Sequence, residues 1–182
     1  MSYNISKSLY EVPYPYTIKD AISFILSSDW DFDSLRAIHF AIDYNIYESG
    51  NSFQQIIGII SLKNIDLINK KANLGYWIGE EFWDKGIATE CVKLVIGYGL
   101  TELKLDKVSA CVYPENKASI RVLEKNGLSR NEETNEYCFI SKTFRNSLKY
   151  VVQKNRWRMD KHNLLPNRNK ITFDILNKTW LE

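Results

Sequence analysis

Residues 83–89 read Trp-Asp-Lys-Gly-Ile-Ala-Thr, and the reading of this stretch decides the fold. It joins a strand-like run, Leu74-Gly75-Tyr76-Trp77-Ile78, to an amphipathic segment that starts as a helix around Gly86. A strand that turns through small residues into a helix leaves several backbone N–H groups unpaired at one point. Those donors sit at the positive end of the helix dipole, which suits a phosphate or pyrophosphate. Gly86 and Ala88 keep side-chain bulk away from such an anion. The Gly-Lys-[Ser/Thr] ending of a P-loop is missing, and only Gly86 of the three glycines of a dinucleotide fingerprint is present. Taken alone, the stretch fits a buried helix that binds nothing equally well.

A second segment lies about thirty residues further on: Val112-Tyr113-Pro114-Glu115-Asn116-Lys117-Ala118-Ser119, continuing to Glu124-Lys125-Asn126-Gly127-Leu128. Lys107–Tyr113 alternates as a strand with Val108, Ala110 and Val112 on one side. Pro114 ends it, Asn116 is suited to cap a helix, and Gly127 to close that helix in the left-handed conformation. Val122 and Leu123 are its inward anchors. Strand, anion corner, long helix, strand, polar cap and short helix therefore follow one another over residues 72–128.

The paired segments Lys85-Gly86-Ile87-Ala88-Thr89-Glu90 and Asn116-Lys117-Ala118-Ser119…Glu124-Lys125-Asn126-Gly127-Leu128 resemble the GCN5-related N-acetyltransferases (GNAT). They are most similar to the branch containing ribosomal-protein N-terminal acetyltransferases and spermidine acetyltransferases. Gly75-Tyr76-Trp77-Ile78 and Tyr14-Pro15-Tyr16-Thr17-Ile18-Lys19-Asp20-Ala21 are similar to the same branch. The resemblance covers residues 13–128 and fades beyond. It implies the acyl-CoA N-acyltransferase (GNAT) fold: an α/β fold with a mixed, mostly antiparallel sheet flanked by helices. The chain lacks most of the family's opening strand and helix, which leaves a sheet edge to be covered by another chain or by the C-terminus. A single N-acetyltransferase domain over residues 1–182 is expected, with a motif-bearing core at 13–128 and a divergent part at 129–182 that holds an insertion or a poorly formed region.

The resemblance implies acetyl-CoA as co-substrate, an amine acceptor and no metal. The pyrophosphate would rest on the corner matched by Asp84, Lys85, Gly86, Ile87, Ala88 and Thr89. The pantetheine arm would pair as an added strand with Tyr76, Trp77, Ile78 and Gly79, in a gap where that strand splays from Val108–Tyr113. Asn116 would hydrogen-bond its amides. Asp84 is unusual beside a pyrophosphate and is expected to contribute through its backbone only, with Lys85 offsetting its charge.

Ser119 matches a serine that the ribosomal-acetyltransferase branch uses to protonate the leaving sulfur; as a residue it reads equally as a first-turn cap. The family's alternative acid, a tyrosine, is replaced by Leu123. The acidic residue often found just before the Leu-Gly-Tyr run is Asn73, which cannot accept a proton, so the general base is not evident. A lysine amine is neutral in roughly one molecule per two thousand at pH 7, whereas an α-amine near pKa ~7.8 is neutral in more than about a tenth. A site without a clear base therefore suits an α-amine, on a protein N-terminus or a small molecule, with Tyr76 or Glu80 positioning a water.

Composition narrows the remaining classes. The chain has 182 residues, 45% of them hydrophobic and 25% charged, as in ordinary globular proteins. No apolar run reaches membrane-span length and no signal-peptide core follows Met1. Cys91, Cys111 and Cys138 are isolated, and His39 and His162 lie apart, so disulfide and metal frameworks are disfavoured. A cytoplasmic protein is the simplest expectation. Between Lys142 and Lys170 lie Arg145, Lys149, Lys154, Arg156, Arg158, Lys161 and Arg168 against Asp160 alone, with Tyr150, Trp157 and Met159 interleaved. A solvated face is preferred there over a nucleic-acid surface. A CoA-binding relative with little catalysis is a further alternative, and a homodimer is left open.

The rest of the pattern supplies a helix over 17–28, capped by Thr17, with Ile18, Ala21, Ile22, Ile25 and Leu26 at helical spacing. Ile38, Phe40, Ile42 and Tyr44 alternate as a strand, Gln55–Leu62 pairs with it, and Tyr47–Phe53 is the loop between. Ala72–Ile78 is the third strand. Ala88, Cys91, Val92, Val95, Ile96, Gly99 and Leu100 form the core stripe of the long helix. Tyr137–Phe144 is strand-like, Asn155–Lys161 loosely resembles a late strand, and Ile171–Leu176 a closing one.

Overall fold

The structure, a computed structural model, describes residues 1–48, 51–157 and 171–175. A short helix α1 (Tyr3–Ser6) precedes α2 (Ile18–Asp33), and strands β1 (Ala37–Glu48), β2 (Asn51–Asp66) and β3 (Lys71–Ile78) form an antiparallel meander. A 3₁₀ turn (Glu80–Phe82) leads into α3 (Ile87–Thr101), followed by β4 (Lys107–Val112), α4 (Lys117–Lys125), β5 (Ser129–Cys138), β6 (Thr143–Gln153) and β7 (Ile171–Ile175). The strands make one seven-stranded sheet in the order β5-β6-β4-β3-β2-β1-β7. Among the described residues only β3 and β4 run parallel, so the sheet is mixed and mostly antiparallel as expected.

The expected gap at the sheet edge is closed from within the chain. β7 pairs antiparallel with β1, from Phe40 opposite Ile175 to Tyr44 opposite Ile171. β7 thereby covers the outer edge of β1.

The α3 stripe is core: Ile87, Cys91, Val92, Val95, Ile96 and Leu100 are buried against Ile38, Ile42, Ile60, Leu62, Leu74 and Val108. The packing at Gly99 is tight, because a Cβ there would lie 3.1 Å from the Leu62 side chain and 3.4 Å from that of Leu105. α2 lies on the opposite face, since His39 alternates with Ile38 and Phe40 and its ring sits 4.9 Å from that of Phe24.

Several expectations are corrected. α2 has the anticipated Thr17 capping box with Asp20 but continues to Asp33. Its apolar stripe does not face the core: Ile18, Ile22, Ile25 and Leu26 are exposed. The sheet surface beneath α2 is mixed, with His39 and Ser61 beside Ala41 and Ile59, and the helix turns Phe24, Ser28 and Asp31 toward it. β1 and β2 extend through most of the anticipated loop; only residues 49 and 50 between them are undescribed. Tyr137–Phe144 is not one strand but the end of β5, a turn and the start of β6, because β5 pairs across it with Cys138 opposite Thr143. The late strand is Thr143–Gln153, not Asn155–Lys161, whose residues 155–157 are not strand and whose remainder lies outside the described residues. Residues 129–153 form a regular hairpin and are not poorly formed, while 158–170 lie outside the described residues. Tyr150 is core, and Arg145 and Lys149 are ion-paired with Glu115 and Glu132, so this part of the basic stretch is not a free cationic surface. Leu176 and the rest of that stretch, from Arg158 to Lys170 with His162, lie outside the described residues.

Candidate active site

β3 and β4 stay in register for only three rungs, Lys71 opposite Lys107 to Asn73 opposite Ser109. The last rung is pinned by side chains, with Ser109 Oγ donating to Asn73 Oδ1 at 2.8 Å. Beyond it Leu74–Ile78 pairs only with β2 and Ala110–Val112 only with β6, so the strands fork. A fork in a sheet exposes backbone donors and acceptors on both prongs, which a peptide-like ligand can satisfy.

At the mouth of the fork Tyr76, from β3, meets Ser119, from the first turn of α4, with their hydroxyl oxygens 2.7 Å apart. Burial pushes the Tyr76 phenol up to about 12, against the opposing effect of the Ser119 hydrogen bond. Ser119 is fixed from its own backbone as well, because its N–H donates to the Asn116 side chain at 3.1 Å. Asn116 thus caps α4 as the sequence indicated. Gly127, at φ 78°, closes the helix with Gly127 N–H donating to Glu124 O and Leu128 N–H to Leu123 O.

Beside the fork, the chain turns through the 3₁₀ segment into α3. Asp84 and Gly86 both take positive φ, 58° and 79°, and Gly86 is the N-cap with no side chain capping the helix. The first helical bond across this cap is Glu90 N–H to Gly86 O, which leaves the N–H groups of Ile87, Ala88 and Thr89 without acceptors inside the helix. Asp84 and Lys85 are exposed, with Lys85 Nζ 5.1 Å from the Phe82 ring centre. Trp83 Nε1 donates to Ile78 O at 2.8 Å, and Gly79 N–H to Ile57 O at 2.8 Å. Two backbone groups expected to serve a pantetheine arm are therefore already engaged, and the Trp77 carbonyl faces Gly58 of β2, which shifts that role toward Tyr76. Glu80 accepts from Ser2 Oγ and from Asn4 Nδ2 and so faces α1.

Asn126 carries a role that the sequence left unassigned. Buried behind α4, its Nδ2 donates to Thr89 O at 3.1 Å and to Val122 O at 2.9 Å. It ties the end of α4 to the first turn of α3, and so couples the anion corner to the helix that carries Ser119. An asparagine at a helix end beside a left-handed glycine was the signal available.

Trp77 faces the other side of the sheet, where it lines two adjoining recesses of about 230 and 370 Å³. Tyr16 lines both, Glu11 and Asp20 the first, Glu80 and Glu81 the second. Among the described residues, no group of His, Cys, Asp and Glu could hold a metal ion, and the three cysteines are free thiols.

Residues 3–129 match the acetyltransferase (GNAT) domain. The chain belongs to the GNAT acetyltransferase family. Among relatives, it is 32% identical over 120 residues to YdaF of Bacillus subtilis (strain 168), provisionally named a ribosomal N-acetyltransferase, covering 65% of this chain and 66% of that protein. It is 30% identical over 100 residues to the spermidine N(1)-acetyltransferase of Escherichia coli (strain K12), covering 55% and 54%. The chain thus spans between half and two thirds of the length of these two relatives. Mycobacterium smegmatis RimJ, solved with CoA-disulfide, superposes with a TM-score of 0.73 at 18% identity, covering 92% of this chain and 79% of that one. The spermidine N-acetyltransferase of Vibrio cholerae, solved with CoA and spermine, gives 0.67 at 20% identity and covers 84% of each. At these identities the structural likeness establishes the GNAT fold. Among the described residues, no helix is long and apolar enough to cross a membrane.

Proposed function

We propose that this GNAT protein, as a single domain over residues 1–182, transfers the acetyl group of acetyl-CoA to an amine by direct attack on the thioester. One observation carries the reading: the fork between β3 and β4 ends at the Tyr76–Ser119 pair and lies beside the uncapped start of α3. The amides of Ile87, Ala88 and Thr89 hold the pyrophosphate. The exposed prong at Tyr76 takes the pantetheine amides, and the cap at Asn116 holds α4 against the same gap.

When the amine nitrogen bonds to the thioester carbon, the C–S bond breaks and the sulfur leaves as a thiolate that needs a proton. Ser119 supplies it. Tyr76, kept protonated by burial, donates to Ser119 Oγ and leaves the serine hydrogen free for the sulfur. The amine loses its own proton to water. Asn73 is spent on Ser109 and Glu80 on α1, so neither serves as base, and the acceptor must arrive neutral. An α-amine meets that demand far more often than a lysine side chain. The acidic, aromatic recesses around Trp77 suit the acceptor, a protein N-terminus or a small-molecule amine.

Calorimetric titration with acetyl-CoA, followed by thiol release on an amine panel, tests the reading. Binding plus turnover on α-amine peptides, with lysine-only peptides slow, is the expected result. Binding without turnover on any amine would leave a CoA-binding relative.

A further inference from the structure

The outer face of α2 carries more apolar surface than a solvated helix retains. Ile18 is 79% exposed, Ile22 51%, Ile25 57%, Leu26 67% and Trp30 56%. Together these side chains leave on the order of 600 Å² uncovered, the upper end of what a monomeric protein shows in one patch. Doubled across an interface, that is about 1,200 Å², the lower bound for a specific and stable association. The patch is an ordered helix face with a capped start, and Trp30 is braced by Arg36, whose Cζ lies 4.7 Å from its ring centre.

Two of the exposed charges on this face, Lys19 and Asp29, mirror one another about residue 24, while Asp33 lies beyond Trp30 at the helix end. Exposed Lys19 lies one residue inside the first apolar position, and exposed Asp29 one residue inside the last. A second α2 laid antiparallel, with the two helices crossing at residue 24, sets Ile18 against Trp30, Ile22 against Leu26 and Lys19 against Asp29. Each pair occurs twice, as two-fold symmetry demands. In a parallel arrangement Lys19 would meet Lys19 and Asp29 would meet Asp29.

We infer that α2 is a homodimerisation face, pairing antiparallel with α2 of a second copy through Ile18, Ile22, Leu26 and Trp30 and two reciprocal Lys19–Asp29 contacts. The dimer buries the stripe that α2 turns away from the sheet, since Phe24 and Asp31 are the residues that meet His39, and leaves the β3–β4 fork on its own face. It does not depend on the proposed activity.

Sedimentation velocity of the full chain, from a few micromolar to about 100 µM, tests it. The weight-average mass should rise from one chain to two. Leu26→Asp should remain monomeric at every concentration, with the melting temperature that the wild type shows at concentrations where it is monomeric. Lys19→Asp and Asp29→Lys should each raise the dissociation constant about tenfold, and the double reversal should restore it, because it rebuilds both pairs with signs exchanged. Both charges are solvent-exposed, so these variants remain informative should Leu26→Asp fail to fold. A wild-type chain that stays monomeric throughout, a dimer that survives Leu26→Asp, or a double reversal weaker than either single one would overturn the inference.

Discussion

The hydroxyls of Tyr76 and Ser119 lie 2.7 Å apart across the mouth of the fork, although 43 positions separate them in the sequence. One belongs to a strand and the other to a helix that packs beside the neighbouring strand. The contact exists only because β3 and β4 part after the Asn73–Ser109 rung.

If this pair delivers the proton to the departing sulfur, Ser119→Ala should lower kcat about 10²-fold while changing the KM for acetyl-CoA little. Tyr76→Phe, which removes only the partner that orients the serine, should cost about tenfold. The double variant should be no slower than Ser119→Ala alone, since the tyrosine acts through the serine. Additive losses in a steady-state double-mutant cycle would contradict this order of action.

Gly86 stands at φ 79° with no heavy atom within 4 Å of where a Cβ would be, so its substitution meets conformational strain and not a clash. Gly86→Ala should weaken acetyl-CoA binding through about 1–2 kcal/mol of left-handed strain. Gly86→Asn, which tolerates that conformation, should lose less. Calorimetry on both variants beside wild type checks the ranking.

Asn126 gives a different signature. Removing its amide deletes two side-chain hydrogen bonds, to Thr89 O and Val122 O, while the Thr89 carbonyl keeps its helical bond, so Asn126→Ala should lower stability by about 1–2 kcal/mol. Because Thr89 belongs to the first turn of α3, acetyl-CoA affinity should fall as well. Urea melts with and without ligand should show both losses. Normal CoA affinity in a destabilised variant would mean that the tie serves folding only.

These sites differ in how openly the sequence displayed them. Gly86, Asn116 and Gly127 act through local backbone chemistry, a left-handed turn or a cap, which short-range spacing encodes. The strands and the α3 stripe were legible because their partners are apolar and alternation reports burial. The α2 stripe misled for the same reason: periodicity shows that a face is apolar but not that the sheet beneath offers His39 and Ser61. The closure of the sheet edge by β7 is a pairing between residues 40–44 and 171–175, a long-range choice that no local pattern carries. Asn126 and the Asn73–Ser109 pin are polar residues whose meaning lies in their tertiary partners.

His39 supplies a pH dependence. It is buried under α2, with Nδ1 2.7 Å from Ser61 Oγ and Nε2 3.6 Å from Asp31. Burial lowers its pKa below the usual imidazole value, outweighing the opposite pull of Asp31. The unfolded chain, with an ordinary histidine near pKa ~6.5, then binds more protons than the folded one below that pH. Stability from this site is complete above pH ~6.5 and is lost as pH falls toward the lowered folded value, at up to about 1.4 kcal/mol per pH unit. Thermal melts between pH 5 and pH 8 should show this slope, and His39→Gln should flatten it. A slope that persists in the variant would assign the acid loss to other groups.

Gly58 marks how closely β2 approaches the prong that faces the ligand. A Cβ there would lie 2.3 Å from the Trp77 carbonyl oxygen and 3.0 Å from the Ile78 Cα, both backbone atoms that no rotamer change can move. Gly58→Ala must therefore push β3 away from β2 at residues 77 and 78, a strain of about 1–3 kcal/mol. The displacement falls next to Tyr76, the residue assigned to the pantetheine arm. The variant should lose affinity for acetyl-CoA more steeply than for 3′,5′-ADP, a fragment that keeps phosphate and nucleotide contacts but carries no pantetheine. Equal losses for the two ligands would place the damage at the α3 corner and detach the strand prong from cofactor recognition.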